Sequence, residues 1–274
     1  MPVHQVSSIA DSRLDPFRDM RTRNWTHLSR RFIAEGPFLV EQLLQSDYDC
    51  EALLVEEKFL PRFESYAAGV PLFALDKTAV RELVGFDFHR GIVGCGVRRE
   101  RASVDELLAA FELDVVAASS EAPTRRVIAA IEGIQDLENI GGILRNCAGL
   151  GIDHVLIGPG CADPFSRRAL RVSMGTSLQL NLWYADQLSG GLSRLVQQQG
   201  FKTYATCLNP DSKPLESLRP SERSLVVFGN EKDGLSEATV AACEEQVCIP
   251  MSGHVDSLNV AVAAGIVLHY FARL

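Results

Sequence analysis

The first segment of the chain that could do chemistry begins at Asn139. Gly141 and Gly142 follow it in what reads as the first turn of a helix, and Arg145 comes three and four residues after these glycines. Because helix side chains lean toward the N-terminus of their helix, Arg145 would overhang a bare patch of backbone with room for a ligand. The alternative is that the glycines only allow close packing against a neighbouring strand, with Arg145 on the surface.

A second segment of this kind joins a strand-like run over 225–228 to a helix-like run that Ser236 would cap. Between the two runs lies the turn Gly229-Asn230-Glu231, and Gly234 separates this turn from the helix. The carboxylate of Glu231 is the side chain that chemistry could use here. On the alternative interpretation it is the solvated carboxylate of an ordinary strand–turn–helix link.

The third segment starts with Ile249-Pro250-Met251, where another strand-like run ends. A loop over 252–257 leads into the last helix, which offers the polar side chains of Ser257 and Asn259. Small residues at 261 and 263–265 would permit very close backbone approach to a neighbour. On the alternative interpretation this segment is only a buried core helix that Ser257 caps.

Hydrophobic runs and turn residues predict the elements that would position these three segments. Strands are predicted over 127–132, 154–157, 178–183, 201–206, 225–228 and 246–249, and helices over 139–150, 164–172, 186–199, 236–245 and 257–273. The strands lack polar alternation, which is typical of parallel strands buried on both faces. Ligands of such sheets collect at the carboxyl ends of the strands, so we expect the three segments to form one composite site.

The first part of the chain predicts a smaller α/β layer structure. Strands are predicted over 52–55, 71–75 and 91–97, and helices over 35–45, 57–66, 77–84 and 103–111. A polar segment rich in alanine and serine follows. We therefore predict an N-terminal domain over 1–111, a linker over 112–124 and a second domain over 125–274.

The composition limits the classes of protein to which the chain can belong. Its 274 residues are 46% hydrophobic, which is typical of a globular protein. No apolar run approaches the ~20 residues of a membrane span, and the first residues lack the apolar stretch of a secretion signal, so we expect a cytoplasmic protein without membrane contact. Seven cysteines without a Cys-x-x-Cys pair predict buried free thiols and no metal site.

The three segments, in order and type, resemble the three motifs of the SpoU/TrmH-type branch of the SPOUT methyltransferases. This resemblance implies catalytic roles for Arg145, Asn139, Glu231, Ser257 and Asn259. It implies that the cofactor S-adenosyl-L-methionine is held around Phe228, Gly229, Ile249, Met251 and Leu258. A lesser resemblance is carried by Arg171-Val172-Ser173-Met174-Gly175, for which a helix end with a glycine cap is also a sufficient explanation.

What is known of the family implies a C-terminal SPOUT domain with a deep trefoil knot, acting as a homodimer. The first domain resembles the small ribosomal-protein-like substrate-binding domain of many such enzymes, including Glu35-Gly36 at its start and His89-Arg90-Gly91 near its close. The chain departs from the family pattern at three places. Arg90 stands where glutamine is more common, Lys232 where many relatives have glycine, and Ala261 where serine is frequent.

The leading functional hypothesis is an S-adenosylmethionine-dependent methyltransferase that modifies a ribose 2′-hydroxyl of RNA, with ribosomal RNA favoured over transfer RNA. A net charge of −8 counts against broad adhesion to nucleic acid, because such adhesion requires neutralised phosphates. Between positions 13 and 31, however, six arginines stand against two acids. Within this stretch we expect an RNA contact from Arg21, Arg23, Arg30 and Arg31. The alternative for such clusters is a solvated helix face.

Two other functions are alternatives to the methyltransferase. An RNA-binding or assembly protein could keep the fold without efficient methyl transfer, and turnover of the methyl donor would discriminate the two. A nucleotide-binding oxidoreductase is disfavoured, because no strand is followed by Gly-x-Gly-x-x-Gly with an acidic residue ~20 positions later.

Overall fold

A computed structural model describes residues 3–6, 8–20, 30–64, 69–117, 125–252 and 256–273. The contacts divide the chain into two compact units. Unit 1 contains residues 1–100 together with 164–178, and unit 2 contains residues 101–163 together with 179–274. A short internal segment thus leaves the second unit and joins the first.

Unit 1 is built on a five-stranded mixed sheet. Its strands are β1 (Val3–Gln5), β2 (Arg31–Glu35), β3 (Cys50–Glu56), β4 (Leu72–Leu75) and β5 (Ile92–Val97), and its helices are α1 (Pro37–Gln45), α2 (Leu60–Phe63) and α3 (Lys77–Val84). The strand order is β1-β4-β3-β5-β2. Strand β4 pairs parallel with β1 and β3, whereas β5 pairs antiparallel with β2 and β3. Apolar residues such as Phe17, Leu54 and Val93 form a buried core in this unit.

Unit 2 is built on an eight-stranded sheet in which every pair of neighbouring strands is parallel. Its strands are β6 (Ala102–Ser103), β7 (Arg126–Ile131), β8 (His154–Ile157), β9 (Asn181–Tyr184), β10 (Lys202–Thr206), β11 (Lys213–Pro214), β12 (Arg223–Phe228) and β13 (Glu245–Cys248). The order is β11-β13-β10-β12-β7-β8-β9-β6. The predicted α/β class and parallel sheet are confirmed.

The helices of unit 2 are α4 (Val104–Ala117), α5 (Leu137–Leu150), α7 (Leu188–Gln199), α8 (Glu237–Ala241) and α9 (Val260–Arg273), while α6 (Arg167–Val172) lies in the segment that joins unit 1. The strand predicted over 154–157 and the helix predicted over 77–84 are confirmed to the residue. Strand β2 was not predicted, because its apolar residues run directly into the helix expected from residue 35.

The two units do not follow the predicted domain boundaries. Helix α4 continues through the boundary placed after residue 111, and it belongs to unit 2 with β6. Segment 164–178 was expected in the second domain, but its side chains pack inside unit 1. The ring of Phe165 lies 5.4 Å from that of Phe32, and Gly175 faces Leu39 so closely that a Cβ atom would come within 3.1 Å of Leu39 Cδ2.

Helices α5 and α9 approach each other at Gly142. A Cβ atom on Gly142 would lie only 2.8 Å from Cβ of Ala261, and nearby Asn146 Nδ2 donates a hydrogen bond of 2.7 Å to the Ala261 carbonyl oxygen. The patch expected to be bare at Gly142 is therefore covered by a helix. The alternative interpretation, that the glycines allow close packing against a neighbouring element, is therefore correct at Gly142, but the neighbour is a helix and not a strand.

This contact predicts opposite effects of one substitution at two positions of α5. Gly142→Ala should lower the free energy of unfolding by about 1–3 kcal/mol, because the new methyl group overpacks against Ala261. Gly149→Ala is the matched control, since nothing lies within 4 Å of a Cβ atom there. It should raise the free energy of unfolding by up to about 1 kcal/mol through helix propensity. Urea unfolding measures both, and an equal effect of the two variants would contradict the proposed packing.

Candidate active site

Asn139 lies in the first turn of α5. The helix begins earlier than predicted because the Asp136 side chain accepts a hydrogen bond of 2.6 Å from the Glu138 backbone N–H, which makes Asp136 the N-cap. Asn139 is only 8% exposed. A buried amide needs hydrogen-bond partners, so what it contacts defines the site.

Asn139 connects the second and third segments through its side chain. Its Oδ1 accepts a hydrogen bond of 2.7 Å from Asn259 Nδ2, and its Nδ2 donates a hydrogen bond to Oε1 of Glu231. These partners are 120 and 92 residues away in the chain. The amide can satisfy both only in one orientation, with oxygen toward Asn259 and nitrogen toward the carboxylate. Three of the five predicted catalytic residues therefore form one hydrogen-bonded row.

Asn259 is also the N-cap of α9. Its Oδ1 accepts hydrogen bonds from the backbone N–H groups of Ala261 (3.0 Å) and Val262 (3.3 Å). The alternative interpretation of this segment placed the cap at Ser257, and that placement is wrong because α9 starts at Val260. Helix capping fixes the Asn259 oxygen toward its own helix and leaves the amide nitrogen to face Asn139.

The turn that carries Glu231 is closed by backbone contacts. The backbone groups of Asn230 and Gly234 exchange two hydrogen bonds, and a Cβ atom on Gly229 would lie 2.5 Å from the Gly234 carbonyl carbon. The Asn230 Oδ1 accepts from the backbone N–H of Lys232 at 2.8 Å. In the part of the chain described, positive φ at a residue other than glycine occurs at Asp19, Arg30 and Met174, so Lys232 fits the turn without strain.

Glu132 is a positioning residue that the sequence analysis missed. It follows β7, and its carboxylate accepts hydrogen bonds from the Ser236 backbone N–H (2.9 Å) and from the hydroxyl groups of Ser236 (3.1 Å) and Thr239 (2.9 Å). It thereby fixes the start of α8 beside the turn of Glu231. These contacts join residues that are 104 and 107 positions apart in the chain. A single carboxylate that follows a strand does not reveal such distant partners in the sequence.

A cavity of about 830 Å³ opens beside this turn, and its walls come from the ends of β10, β12 and β13 and from α9. All five residues predicted to hold the cofactor line it, namely Phe228, Gly229, Ile249, Met251 and Leu258. Glu231 and Ser257 also line it, whereas Asn139, Asn259 and Arg145 do not. The structure thus brings Ser257 to the cavity but shows it in no hydrogen bond with the row of Asn139.

Two thiols in the cavity wall, those of Cys207 and Cys243, are unreactive. Burial raises the pKa of Cys243 to about 12 and raises that of Cys207 in the same direction. Both therefore stay neutral and weakly nucleophilic near pH 7. All seven cysteines are free. Among the described residues, no cluster of histidine, cysteine and acidic side chains could hold a metal ion, and no helix is long and apolar enough to cross a membrane.

Residues 126–269, more than half of the chain, match the SpoU rRNA Methylase family. An uncharacterized tRNA/rRNA methyltransferase of Mycobacterium tuberculosis is 32% identical over 100% of this chain and 93% of its own length. The chain belongs to the SpoU rRNA methylase family. This membership confirms the resemblance drawn from the motifs and makes the protein an RNA methyltransferase by class.

Two further similarities give this SpoU family member its context. The 23S rRNA (guanosine(2553)-2′-O)-methyltransferase RlmP of Bacillus subtilis is 24% identical over 97% of this chain and 98% of its own length. The crystal structure of an AdoMet-bound rRNA methyltransferase from Sinorhizobium meliloti superposes with a TM-score of 0.78, covering 99% of this chain and 97% of that chain. Its sequence identity is 22%, so this likeness establishes the fold.

The basic residues predicted to act in this SpoU family member differ in their surroundings. Arg145 is exposed and has no hydrogen bond or ion pair with any described residue, so its guanidinium group is available to a substrate. Arg31 donates two hydrogen bonds to Glu51, at 2.5 and 2.7 Å, and this contact raises the pKa of Arg31. Arg30 lies 3.2 Å from Glu100. Arg21 and Arg23 fall outside the described residues.

The segment Arg171-Val172-Ser173-Met174-Gly175 forms a helix end. The Gly175 N–H donates 2.9 Å to the Leu170 carbonyl oxygen, with Gly175 at φ +77°, and the buried Ser173 hydroxyl donates back to the same carbonyl at 3.1 Å. This arrangement is the glycine-capped helix end that the sequence also allowed. The segment belongs to unit 1 and contributes nothing to the cavity in unit 2.

The row of Asn139 predicts a rescue by a second substitution. Asn139→Asp should lower the free energy of unfolding by about 1–3 kcal/mol at pH 7, because the donor to Glu231 is lost and two carboxylates face each other. Repulsion raises the folded-state pKa of this pair above its unfolded value, so the loss is present above that pKa and is relieved as the pH falls through it.

The matched double variant Asn139→Asp with Glu231→Gln should recover most of the loss at pH 7. Its glutamine amide can donate to the new carboxylate, which restores the hydrogen bond in the opposite direction with one negative charge. Urea unfolding of the single and double variants between pH 5 and pH 8 measures the effect. Additive losses in the double variant would contradict the bond between residues 139 and 231.

Proposed function

We propose that this protein transfers a methyl group from S-adenosyl-L-methionine to a ribose 2′-hydroxyl of RNA, with ribosomal RNA favoured over transfer RNA. The observation that carries the proposal is the row Asn259–Asn139–Glu231, which ties three distant segments together beside the cavity. The name of the Bacillus subtilis relative, a guanosine 2′-O-methyltransferase of 23S rRNA, supports the substrate class.

The cavity fits the methyl donor in size and in chemistry. Its volume of about 830 Å³ is within the range of ~300–1000 Å³ that suits ligands of this size. Phe228, Leu258 and Val267 give it apolar surface for an adenine ring, and Glu231 and Asp233 bring negative charge toward a cationic sulfonium ligand. When bound, S-adenosylmethionine supplies the methyl group on a positively charged sulfur. In the proposed complex Ile249, Met251 and Leu258 hold it.

Arg145 is assigned to the ribose hydroxyl. The hydroxyl oxygen forms a bond to the methyl carbon while the carbon–sulfur bond breaks, and the hydroxyl proton leaves to an acceptor. Arginine stays protonated because its pKa exceeds ~12, so Arg145 would stabilise negative charge growing on the oxygen rather than remove the proton itself. An RNA phosphate or a second polar group would take the proton. Glu231, Ser257 and Asn259 would orient the ribose and the donor.

The proposal also includes the features known of the family, a knotted C-terminal domain that works as a cytoplasmic homodimer. Support for a second copy comes from α9, on which Val262 and Ile266 are one turn apart and 54% and 42% exposed. Unit 1, with the predicted small α/β sheet, would bind the RNA substrate.

The departures from the family pattern do not favour the alternative of a binding protein without turnover. Lys232 leaves the turn of Glu231 unstrained, and Ala261 packs against Gly142 while its N–H is held by Asn259. Neither residue removes a group from the row of Asn139.

The cavity assignment predicts a loss of donor binding from one substitution on α9. Ala263→Phe should weaken S-adenosylmethionine binding at least tenfold, because Ala263 lines the cavity and the new ring would fill it. Gln198→Phe, at an exposed position of α7 that does not line the cavity, should leave binding unchanged and serves as the control. Calorimetry and the donor-induced rise in melting temperature measure both. Binding by Ala263→Phe as tight as by the wild type would place the donor elsewhere.

The assignment of Arg145 predicts a separation of catalysis from donor binding. Arg145→Ala should slow single-turnover methyl transfer by about 100-fold or more, as is typical for loss of an oxyanion-stabilising group. Donor affinity should stay within about twofold, since Arg145 does not line the cavity. Arg194→Ala removes a partly exposed arginine of α7 that pairs with Asp105, and it should transfer methyl at the wild-type rate. Transfer by Arg145→Ala at that same rate would refute the catalytic role.

A further inference from the structure

A buried carboxylate in unit 1 is surrounded by more positive charge than it can neutralise. Glu35 is 7% exposed, and its Oε2 lies 2.7 Å from Arg167 Nη2 and 3.8 Å from Arg171 Nη1. Its Oε1 lies 3.6 Å from Arg90 Nε. Across the described residues, none of these three arginines has a second carboxylate within ion-pair distance. The Glu35 cluster, formed by Glu35, Arg90, Arg167 and Arg171, therefore carries a surplus of two positive charges.

Local sequence features of unit 1 assemble this cluster. Gly36 follows Glu35 with φ +95°, and a Cβ atom on it would lie 3.0 Å from Arg90 Cδ, so Arg90 extends across the bare glycine. Arg167 and Arg171 are four residues apart on α6 and therefore share one face of that helix. The stretches Glu35-Gly36 and His89-Arg90-Gly91 thus meet Arg171 at one point.

The three arginines divide into one that is held and two that are available. Arg167 donates to Glu35 and, at 2.8 Å, to the Met20 carbonyl oxygen, and its guanidinium lies 4.6 Å from the centre of the Phe86 ring. Arg90 and Arg171 approach Glu35 only at 3.6 and 3.8 Å, longer than a hydrogen bond, and their side chains are 52% and 37% exposed. Their N–H groups can therefore donate hydrogen bonds to a second anion.

This surplus of positive charge distinguishes the Glu35 cluster from the arginines that were predicted from the sequence to contact RNA. Arg31 is paired with Glu51 and Arg30 with Glu100, one charge against one. In the Glu35 cluster a single carboxylate contacts three guanidinium groups, so the net charge of the cluster stays positive. A site of this kind attracts an anion with two or more oxygens, because the guanidinium fork matches such a group with paired hydrogen bonds.

We propose that Arg90 and Arg171 bind a phosphate of the RNA backbone, with Glu35 and Arg167 as positioning residues. The proposal rests on the proposed function only in taking RNA as the substrate. One phosphodiester charge would lower the surplus of the cluster from two to one.

The test is the salt dependence of RNA binding. The full-length double variant Arg90→Gln with Arg171→Gln is titrated with deproteinised bacterial ribosomal RNA by filter binding over a series of KCl concentrations. Each phosphate contact contributes ~0.7–0.9 to the slope of log affinity against log salt, so loss of the one phosphate contact that Arg90 and Arg171 share should flatten the slope by about that amount. Affinity at low salt should fall at least tenfold.

Two control pairs separate this site from a general charge effect and from misfolding. Arg62→Gln with Arg81→Gln removes two exposed arginines of the same unit and should keep the wild-type slope. Arg90→Lys with Arg171→Lys retains the charges and should keep the slope while losing part of the affinity, because lysine lacks the fork. Equal slopes for the Arg90/Arg171 glutamine pair and the wild type, or equal losses in both glutamine pairs, would overturn the proposal.

Donor binding and methyl transfer by the wild type give a separate readout for the proposed function. If the glutamine variant shows the expected change in slope but the wild type transfers no methyl group, the proposed function is refuted and the phosphate site is retained. If the wild type methylates RNA but the salt slope of RNA binding is the same in the glutamine variant, only the phosphate site is refuted. A wild type that binds no RNA overturns both.

Discussion

The side-chain amide of Asn139 is the interaction on which the candidate active site depends. It is one of the few buried polar side chains in the described part of unit 2, and both its polar atoms are satisfied, because it accepts from Asn259 and donates to Glu231. Because a buried polar group without partners costs about 1–3 kcal/mol, the fold is most stable when the first turn of α5, the start of α9 and the turn after β12 all meet at this amide. The geometry of the site and the stability of the unit are thus set by the same bonds.

Supporting contacts restrict each partner of Asn139 before any ligand arrives. Asn259 is fixed by capping α9, and the turn of Glu231 is closed by backbone bonds between Asn230 and Gly234. Glu132 fixes the beginning of α8 on the far side of that turn. The site is therefore preorganised, and the uncommitted guanidinium of Arg145 is the predicted catalytic group that a substrate can recruit without breaking an existing bond.

Local sequence predicted most elements of the fold because local forces decide them. Apolar runs marked the strands of unit 2, and glycines such as Gly151 and Gly200 marked helix ends, where the structure has them in the left-handed conformation. The three segments of the site were also found by this means. Outside these three segments, the sequence did not predict which distant side chains pair. Glu35 and Arg167 are 132 residues apart, and Glu132 and Thr239 are 107 apart, so their pairing follows from the packed tertiary structure alone.

Segment 164–178 has a consequence for the order in which the protein can be made. Unit 1 needs this segment to cover Phe32 and Leu39 and to hold Glu35, yet the ribosome synthesises it more than 60 residues after the last strand of the unit, β5. The packing of unit 1 therefore stays incomplete while the first strands and helices of unit 2 are synthesised. Contacts so distant in sequence form late, because closing a long loop costs entropy before any contact rewards it. Nascent chains halted before residue 178 should thus be the ones that most need a chaperone.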